Sequence, residues 1–370
     1  MADPRVRRLA QVLAHYSLQL KQHDLLRINA TPVATPLVTE LYRAALEAGA
    51  HPMLRLSLDS VSETLLKHGS DEQLSYISEL DRRENELIDA TITIIGGENT
   101  KSLSGADPQK VATLNKARRE LLQRYMERSA EGTLNWCVTL FPNQANAQDA
   151  DMSLSDYEDF VYDACLLNEP DPVAAWQQVR DRQQRIIDFL AQKDEIRLVG
   201  AGTDLTYRVG GRTWINACGD CNFPDGEVFT GPIEDSAEGY ISYSFPAVYR
   251  GREVEGIRLV FKAGRVVEAT ARKGEDLLHS LLDMDEGARF LGEVAFGTNY
   301  GISRFSRNIL FDEKIGGTVH LAVGAGYPDT GSKNQSALHW DMVCDMRQGS
   351  EAYADGELMY KDGQFLPGVM

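Results

Sequence analysis

A histidine and an aspartate stand two residues apart in His339-Trp340-Asp341, within a stretch from Leu338 to Val343 that reads as a β-strand. Alternate side chains of a strand share a face, so His339 and Asp341 converge while Trp340 packs behind them. An imidazole beside a carboxylate is half of a metal site, or else a buried His–Asp hydrogen bond. His320 adds weight to the first reading. It lies in Thr318-Val-His-Leu-Ala-Val-Gly324, where no side chain other than Thr318 is polar. Two glutamates have comparable surroundings: Glu293 in Phe290-Leu-Gly-Glu-Val-Ala-Phe296, and Glu255 in Val254-Glu-Gly-Ile-Arg-Leu-Val-Phe261. A charge in such flanks is costly unless it is paired or coordinating; for Glu255 a solvated strand edge is the alternative. Two imidazoles and three carboxylates exceed what one hydrolytic zinc needs. They fit a dinuclear site in which carboxylates bridge and a water is activated. A single iron on a facial triad of His320, His339 and Asp341 is the competing arrangement, and it leaves Glu255 and Glu293 without a role.

These residues need a frame, and the chain supplies two kinds. Up to residue 193, strand-like and helix-like segments alternate. Strands are expected over Asp24–Ile28, Met53–Leu56, Ile88–Ile95 and Leu134–Leu140. Helices are expected over Leu37–Glu47, Glu63–His68, Leu74–Glu79 and Pro108–Ser129, with another opened by a Ser153 cap. This rhythm predicts βαβ units, hence an α/β domain over 1–193 with a mostly parallel sheet. A helix from Val173 to Lys193 is read as the bridge. From Asp194 short strands follow one another, with turn signals at Gly210-Gly211 and Ala263-Gly264 and one helix at Glu275–Leu282. An α+β domain over 194–370, with a mixed or antiparallel sheet carrying the metal site, is the expectation.

Composition narrows the function classes. The 370 residues carry a formal net charge of −17, which opposes phosphate backbones and anionic lipid surfaces, so neither nucleic acid nor membrane is an expected partner. Five cysteines form an odd, sparse set unlike a disulfide framework, and no run reaches the roughly 20 apolar residues of a membrane span. The N-terminal stretch has no signal-peptide core, and a soluble, cytoplasmic protein is expected. Cys218-Gly-Asp-Cys221 has redox or zinc-knuckle spacing but no second pair. Gly96-Gly97 ends a strand without the spacing of a nucleotide loop, and His279 is read as a packing or surface residue.

Several segments together resemble the aminopeptidase T family, the M29 metallopeptidases. They are Gly202-Thr-Asp-Leu205, Pro224-Asp-Gly-Glu-Val-Phe-Thr-Gly-Pro232, Val254-Glu-Gly256, Leu282-Asp-Met-Asp-Glu-Gly-Ala-Arg289, Leu291-Gly-Glu-Val-Ala295, Leu310-Phe-Asp-Glu313, His320-Leu-Ala-Val-Gly324 and His339-Trp-Asp341. The resemblance implies a two-metal exopeptidase that removes N-terminal amino acids from peptides with a free N-terminus. Its cofactors would be two divalent ions (zinc, cobalt, manganese or magnesium), with a non-catalytic N-terminal half and a homodimeric assembly. Matching positions make Glu255, Glu293, His320, His339 and Asp341 metal ligands. Tyr327 matches an active-site tyrosine, and Glu313 an acidic position that serves as a ligand or a general base. A mononuclear iron oxygenase on a related scaffold and a catalytically silent peptide-binding protein are the alternative functions.

Overall fold

The computed structural model describes residues 3–249 and 251–370. The chain divides into two compact units, one made of residues up to 173 with 219–224, the other of 174–218 with 225–370.

The first unit is built on a parallel sheet. Its strands are β1 (Leu25–Ala30), β2 (His51–Leu56), β3 (Ala90–Ile95), β4 (Asn135–Leu140) and the short β8 (Asn222–Phe223), in the order β2-β1-β3-β4-β8, with every pair parallel. In β1 the alternate residues Leu26, Ile28 and Ala30 are buried. The helix Thr35–Glu47 then buries Leu37, Val38, Leu41, Ala44 and Ala45, the three-to-four spacing of one helix face. It ends where Gly49 takes a positive φ of 81°, and the chain turns into β2 to close a βαβ unit. The Ser153 hydroxyl accepts from the Asp156 amide, the cap expected from its sequence. The expected helix Leu74–Glu79 is instead a break between two helices, Asp71–Ser75 and Glu79–Leu87. The cause is local: Ser70 forms a reciprocal capping box with Gln73, and Ser78 caps the next start.

The second unit holds the antiparallel sheets. One has eight strands in the order β14-β13-β10-β6-β5-β18-β19-β20. These are β5 (Glu195–Gly200), β6 (Thr203–Arg208), β10 (Glu238–Ser242), β13 (Arg258–Lys262), β14 (Arg265–Thr270), β18 (Glu351–Ala354), β19 (Glu357–Lys361) and β20 (Gln364–Phe365). The other has five: β7 (Ile215–Ala217), β9 (Glu227–Thr230), β15 (Leu291–Gly297), β16 (Thr318–Gly324) and β17 (His339–Asp345), in the order β17-β16-β15-β9-β7. A separate hairpin joins β11 (Ala247–Tyr249) and β12 (Arg252–Val254). Ala263 and Gly264, both at positive φ, make the hairpin turn between β13 and β14 as expected. Gly210-Gly211 does something different, passing the chain from the eight-stranded sheet to the five-stranded one. The bridge helix runs Pro172–Leu190, and from Ala174 it belongs to the second unit, where Ile186, Ile187 and Leu190 join the core.

Candidate metal centre

Strand alternation sorts the five-stranded sheet into two faces. Val228, Val294, Phe296, Val319, Leu321, Val323, Trp340, Met342 and Cys344 enter the hydrophobic core. The residues between them (Glu227, Phe229, Glu293, Ala295, His320, Ala322, His339 and Asp341) therefore share the opposite face. Register sets the spacing: Ala295 lies opposite both Phe229 and His320, while Ala322 lies opposite both Glu293 and Asp341. Two alanines in the middle leave room between the polar side chains around them. A bulge at Gly292 shifts the register between Leu291 and Glu293. A Cβ on Gly292 would sit 2.2 Å from the Ala325 carbonyl oxygen, so only glycine permits this approach.

Glu293 is the centre of the arrangement. Its Oε1 lies 3.4 Å from His320 Nε2 and its Oε2 lies 3.3 Å from His339 Nε2. His339 Nε2 is also 3.5 Å from Asp341 Oδ2, and His320 Nε2 is 3.5 Å from Glu227 Oε2. The other nitrogen of His339, Nδ1, donates to the Ala325 carbonyl at 2.7 Å, which orients the ring and directs Nε2 into the cluster. Ligand atoms of Glu293, His339 and Asp341 lie within 4.8 Å of one another, and so do those of Glu313, His320 and Asp341. Glu313 follows the short helix Ile309–Asp312 and is ion-paired with Lys314.

Burial and close packing of like charges set the electrostatics of the cluster. Burial pushes the Glu227 carboxyl up to about 8, against the pull of Lys314, and pushes Asp341 up to about 6. Burial would raise Glu293 as well, but bonds from His320 and His339 outweigh it and hold this carboxyl at about 2. Both imidazoles move the other way from what burial dictates. Glu293 and Glu227 hold His320 at about 9, and Glu293 with Asp341 holds His339 at about 10. Glu227 Oε2, Asp341 Oδ1 and His320 Nδ1 are buried without a hydrogen-bond partner. Crowded, under-bonded carboxylates around two imidazoles fit divalent cations with mixed oxygen and nitrogen ligands. Tyr327 borders the cluster, its ring centroid 5.1 Å from that of His339 in an edge-on arrangement and 5.5 Å from that of Phe229. Its phenol is pushed up, first by partial burial and then by Glu293 and Asp341.

The structure thus brings together Glu293, Glu313, His320, His339 and Asp341, with Tyr327 beside them. Glu255 is not with them. Its carboxylate receives Lys273 Nζ at 2.7 Å and Arg272 Nη2 at 2.8 Å, in an exposed ion-pair cluster. The apolar flanks misled because Val254 and Ile257 enter the core while Glu255 does not. Glu227, which the sequence reading did not single out, occupies the place by His320. A signal was available: in Asp225-Gly-Glu-Val-Phe-Thr230 a glutamate opens a buried strand, just after a glycine at φ 122° that packs on Asn299. Lys314, buried between Glu227 and Glu313, was also missed.

The profile of the family described as thermophilic metalloprotease (M29) matches residues 2–365. Aminopeptidase 2 of Geobacillus stearothermophilus is 31% identical over 89% of this chain and 85% of its own length. Aminopeptidase T of Thermus thermophilus is 30% identical over 74% of this chain and 73% of its own. The solved structure of wild-type AmpT from Thermus thermophilus superposes with a TM-score of 0.86 at 25% identity, covering 98% of this chain and 99% of that one. A 2,5-dihydroxypyridine dioxygenase from Pseudomonas putida shares the fold at 14% identity, with a TM-score of 0.62 over 99% and 98% of the two chains.

Proposed function

The chain belongs to the thermophilic metalloprotease family M29, and we propose that it is a metal-dependent aminopeptidase hydrolysing the N-terminal peptide bond of peptides. In this reading two divalent ions are held by Glu227, Glu293, His320, His339 and Asp341, with Glu313 beside them as the general base. One observation carries it: Glu293 reaches a different histidine with each oxygen, while Asp341 belongs to both ligand triads. A carboxylate spanning two imidazoles suits a pair of ions better than one. Such ions, when bound, lower the pKa of a water and polarise the scissile carbonyl. Zinc, cobalt, manganese and magnesium all accept this donor set.

The protein's own groups do the rest. Lys314 engages Oε1 of Glu313, so the proton-accepting role falls to Oε2, which can pass the proton to the leaving amine. Tyr327 keeps its hydroxyl proton because its phenol is pushed up, and it serves as a donor to the developing oxyanion. The residue is 42% exposed, which leaves it open to substrate. All of these residues lie in the second unit, and the first contributes none of them. Among the described residues no helix is long and apolar enough to cross a membrane. A cytoplasmic location is part of the same proposal and rests on the sparse, odd cysteine set.

The test is a panel of aminoacyl amides and free or N-acetylated peptides, assayed on metal-stripped and metal-restored enzyme. Release of the first amino acid from unblocked peptides alone, lost on stripping and regained with about two divalent ions per chain, supports the proposal. One iron per chain with oxygen consumption would establish the oxygenase reading, which employs only His320, His339 and Asp341. No release from any substrate would leave a silent binding protein. Homodimerisation is part of the same proposal, and sedimentation at about the 41.1 kDa of one chain would remove it.

A further inference from the structure

Lys314 is wholly enclosed, with 0% of its side chain exposed. Its ammonium faces three carboxylates: Glu313 Oε1 in direct ion pairing, Glu227 Oε1 at 3.3 Å and Asp225 Oδ1 at 3.9 Å. The backbone holds it there. The Lys314 amide donates to the Phe311 carbonyl, and its own carbonyl accepts from the Asn299 amide. Asn299 also ties down the far side of the group, since its Nδ2 donates to the Asp225 carbonyl at 2.8 Å. Gly297 allows the close passage of this segment, because a Cβ there would lie 2.2 Å from the Ile315 carbonyl oxygen.

The contacts divide Glu227 between two partners. Its Oε1 belongs to Lys314, and its Oε2 turns to His320 at 3.5 Å. A lysine in that position fixes the rotation of the carboxylate without occupying the oxygen that faces the imidazole. Charge accounting gives the same picture. In the protonation state that metal binding requires, with every carboxylate ionised and both imidazoles neutral, the linked group of Asp225, Glu227, Glu293, Glu313, Asp341 and one ammonium carries four negative charges. Two divalent ions would match them.

Building on the dinuclear reading above, we propose that Lys314 is a resident counter-ion of the metal centre. It holds Glu227 and Glu313 together when metal is absent and moderates the affinity of the centre for metal. Buried like charges repel strongly in a medium of low dielectric. A fixed cation among them lets the ligand set stay assembled before any ion arrives. The same positive charge repels incoming cations, so the lysine lowers metal affinity while it stabilises the metal-free form. A purely structural ion pair would instead support the metal-free and metal-loaded forms equally.

The experiment is calorimetric titration of metal-stripped full-length protein with zinc or manganese, with thermal melts of the stripped and loaded forms. Lys314→Met should bind metal about tenfold or more tightly than the wild type, as expected for loss of one nearby like charge. Its stripped form should melt lower, so the gain in melting temperature on loading grows. Asp225→Asn, which leaves the ammonium less offset, should weaken metal binding, and the double variant should return towards the wild-type affinity. Unchanged or weaker binding by a folded Lys314→Met would overturn the proposal. If that variant does not fold, unchanged or tighter binding by Asp225→Asn would overturn it. A folded wild-type protein that takes up no divalent ion would remove the metal-centre reading itself, a result distinct from either of these.

Discussion

Glu293 commits each of its oxygens to a different imidazole, and that double use makes it the least replaceable side chain of the centre. Glu293→Ala should abolish turnover and reduce bound metal while circular dichroism stays that of the wild type; full activity in this variant would exclude Glu293 from the site. A paired comparison tests the placement of the other glutamates. Glu227→Gln should lose metal and activity, because Glu227 is buried beside His320 and turns its unbonded Oε2 towards it. Glu255→Gln should keep kcat/KM within about twofold, since exposed ion pairs to lysine and arginine contribute little. The reverse outcome would restore Glu255 to the ligand set. Residue type and strand spacing made His320, His339, Asp341 and Glu293 legible, because alternation in a strand is a local property. Glu255 shows the limit of that reasoning: apolar neighbours cost a carboxylate little when the chain just past a strand turns it outward. Lys314 shows the complementary limit. A buried lysine is intelligible only beside carboxylates brought to it from another strand and a distant loop.

At the scale of elements, two devices aim the proposed ligands. The first is the bulge at Gly292, which brings β15 against the Ala325 carbonyl that orients His339. Gly292→Ala should cost about 1–3 kcal/mol of stability through overpacking, and its loss of activity should exceed what the unfolded fraction explains. Chemical denaturation and kcat/KM measured together decide this; full activity in the folded fraction would show the bulge to be structural only. The second is Asp285, which accepts from the Ala337 amide at 2.7 Å, from Ser336 Oγ at 2.8 Å and from the Gly287 amide at 3.0 Å, fixing the lead into β17. Burial would raise its carboxyl, but these bonds hold it below the ordinary aspartate value of 3.8. The stabilisation is therefore present above that value and lost as pH falls through the lower, folded value. Asp285→Asn should flatten the acid limb of a melting-temperature profile taken from pH 6 to pH 3; an unaltered limb would contradict the assignment. The parallel and antiparallel character of the two regions was legible in the alternation of segments. The break at Ser78 and the change of sheet at Gly210-Gly211 were not, since one depends on caps competing with a periodic pattern and the other on which strand finds which partner.

For the whole molecule, the division of labour between the units has a measurable form. Every proposed ligand lies in the second unit. Stripping metal should raise hydrogen exchange in β9, β15, β16 and β17 and leave the parallel sheet of β1, β3 and β4 as protected as before. Equal loss of protection in both units would refute that assignment. The five-stranded sheet carries a further consequence, concerning heat. One backbone holds Leu321 and Val323 in the core and His320 and Ala322 on the face of the proposed centre, so loosening of that face is coupled to loosening of the core. As temperature rises, the enzyme should work at its full rate until the interior gives way, and then stop abruptly.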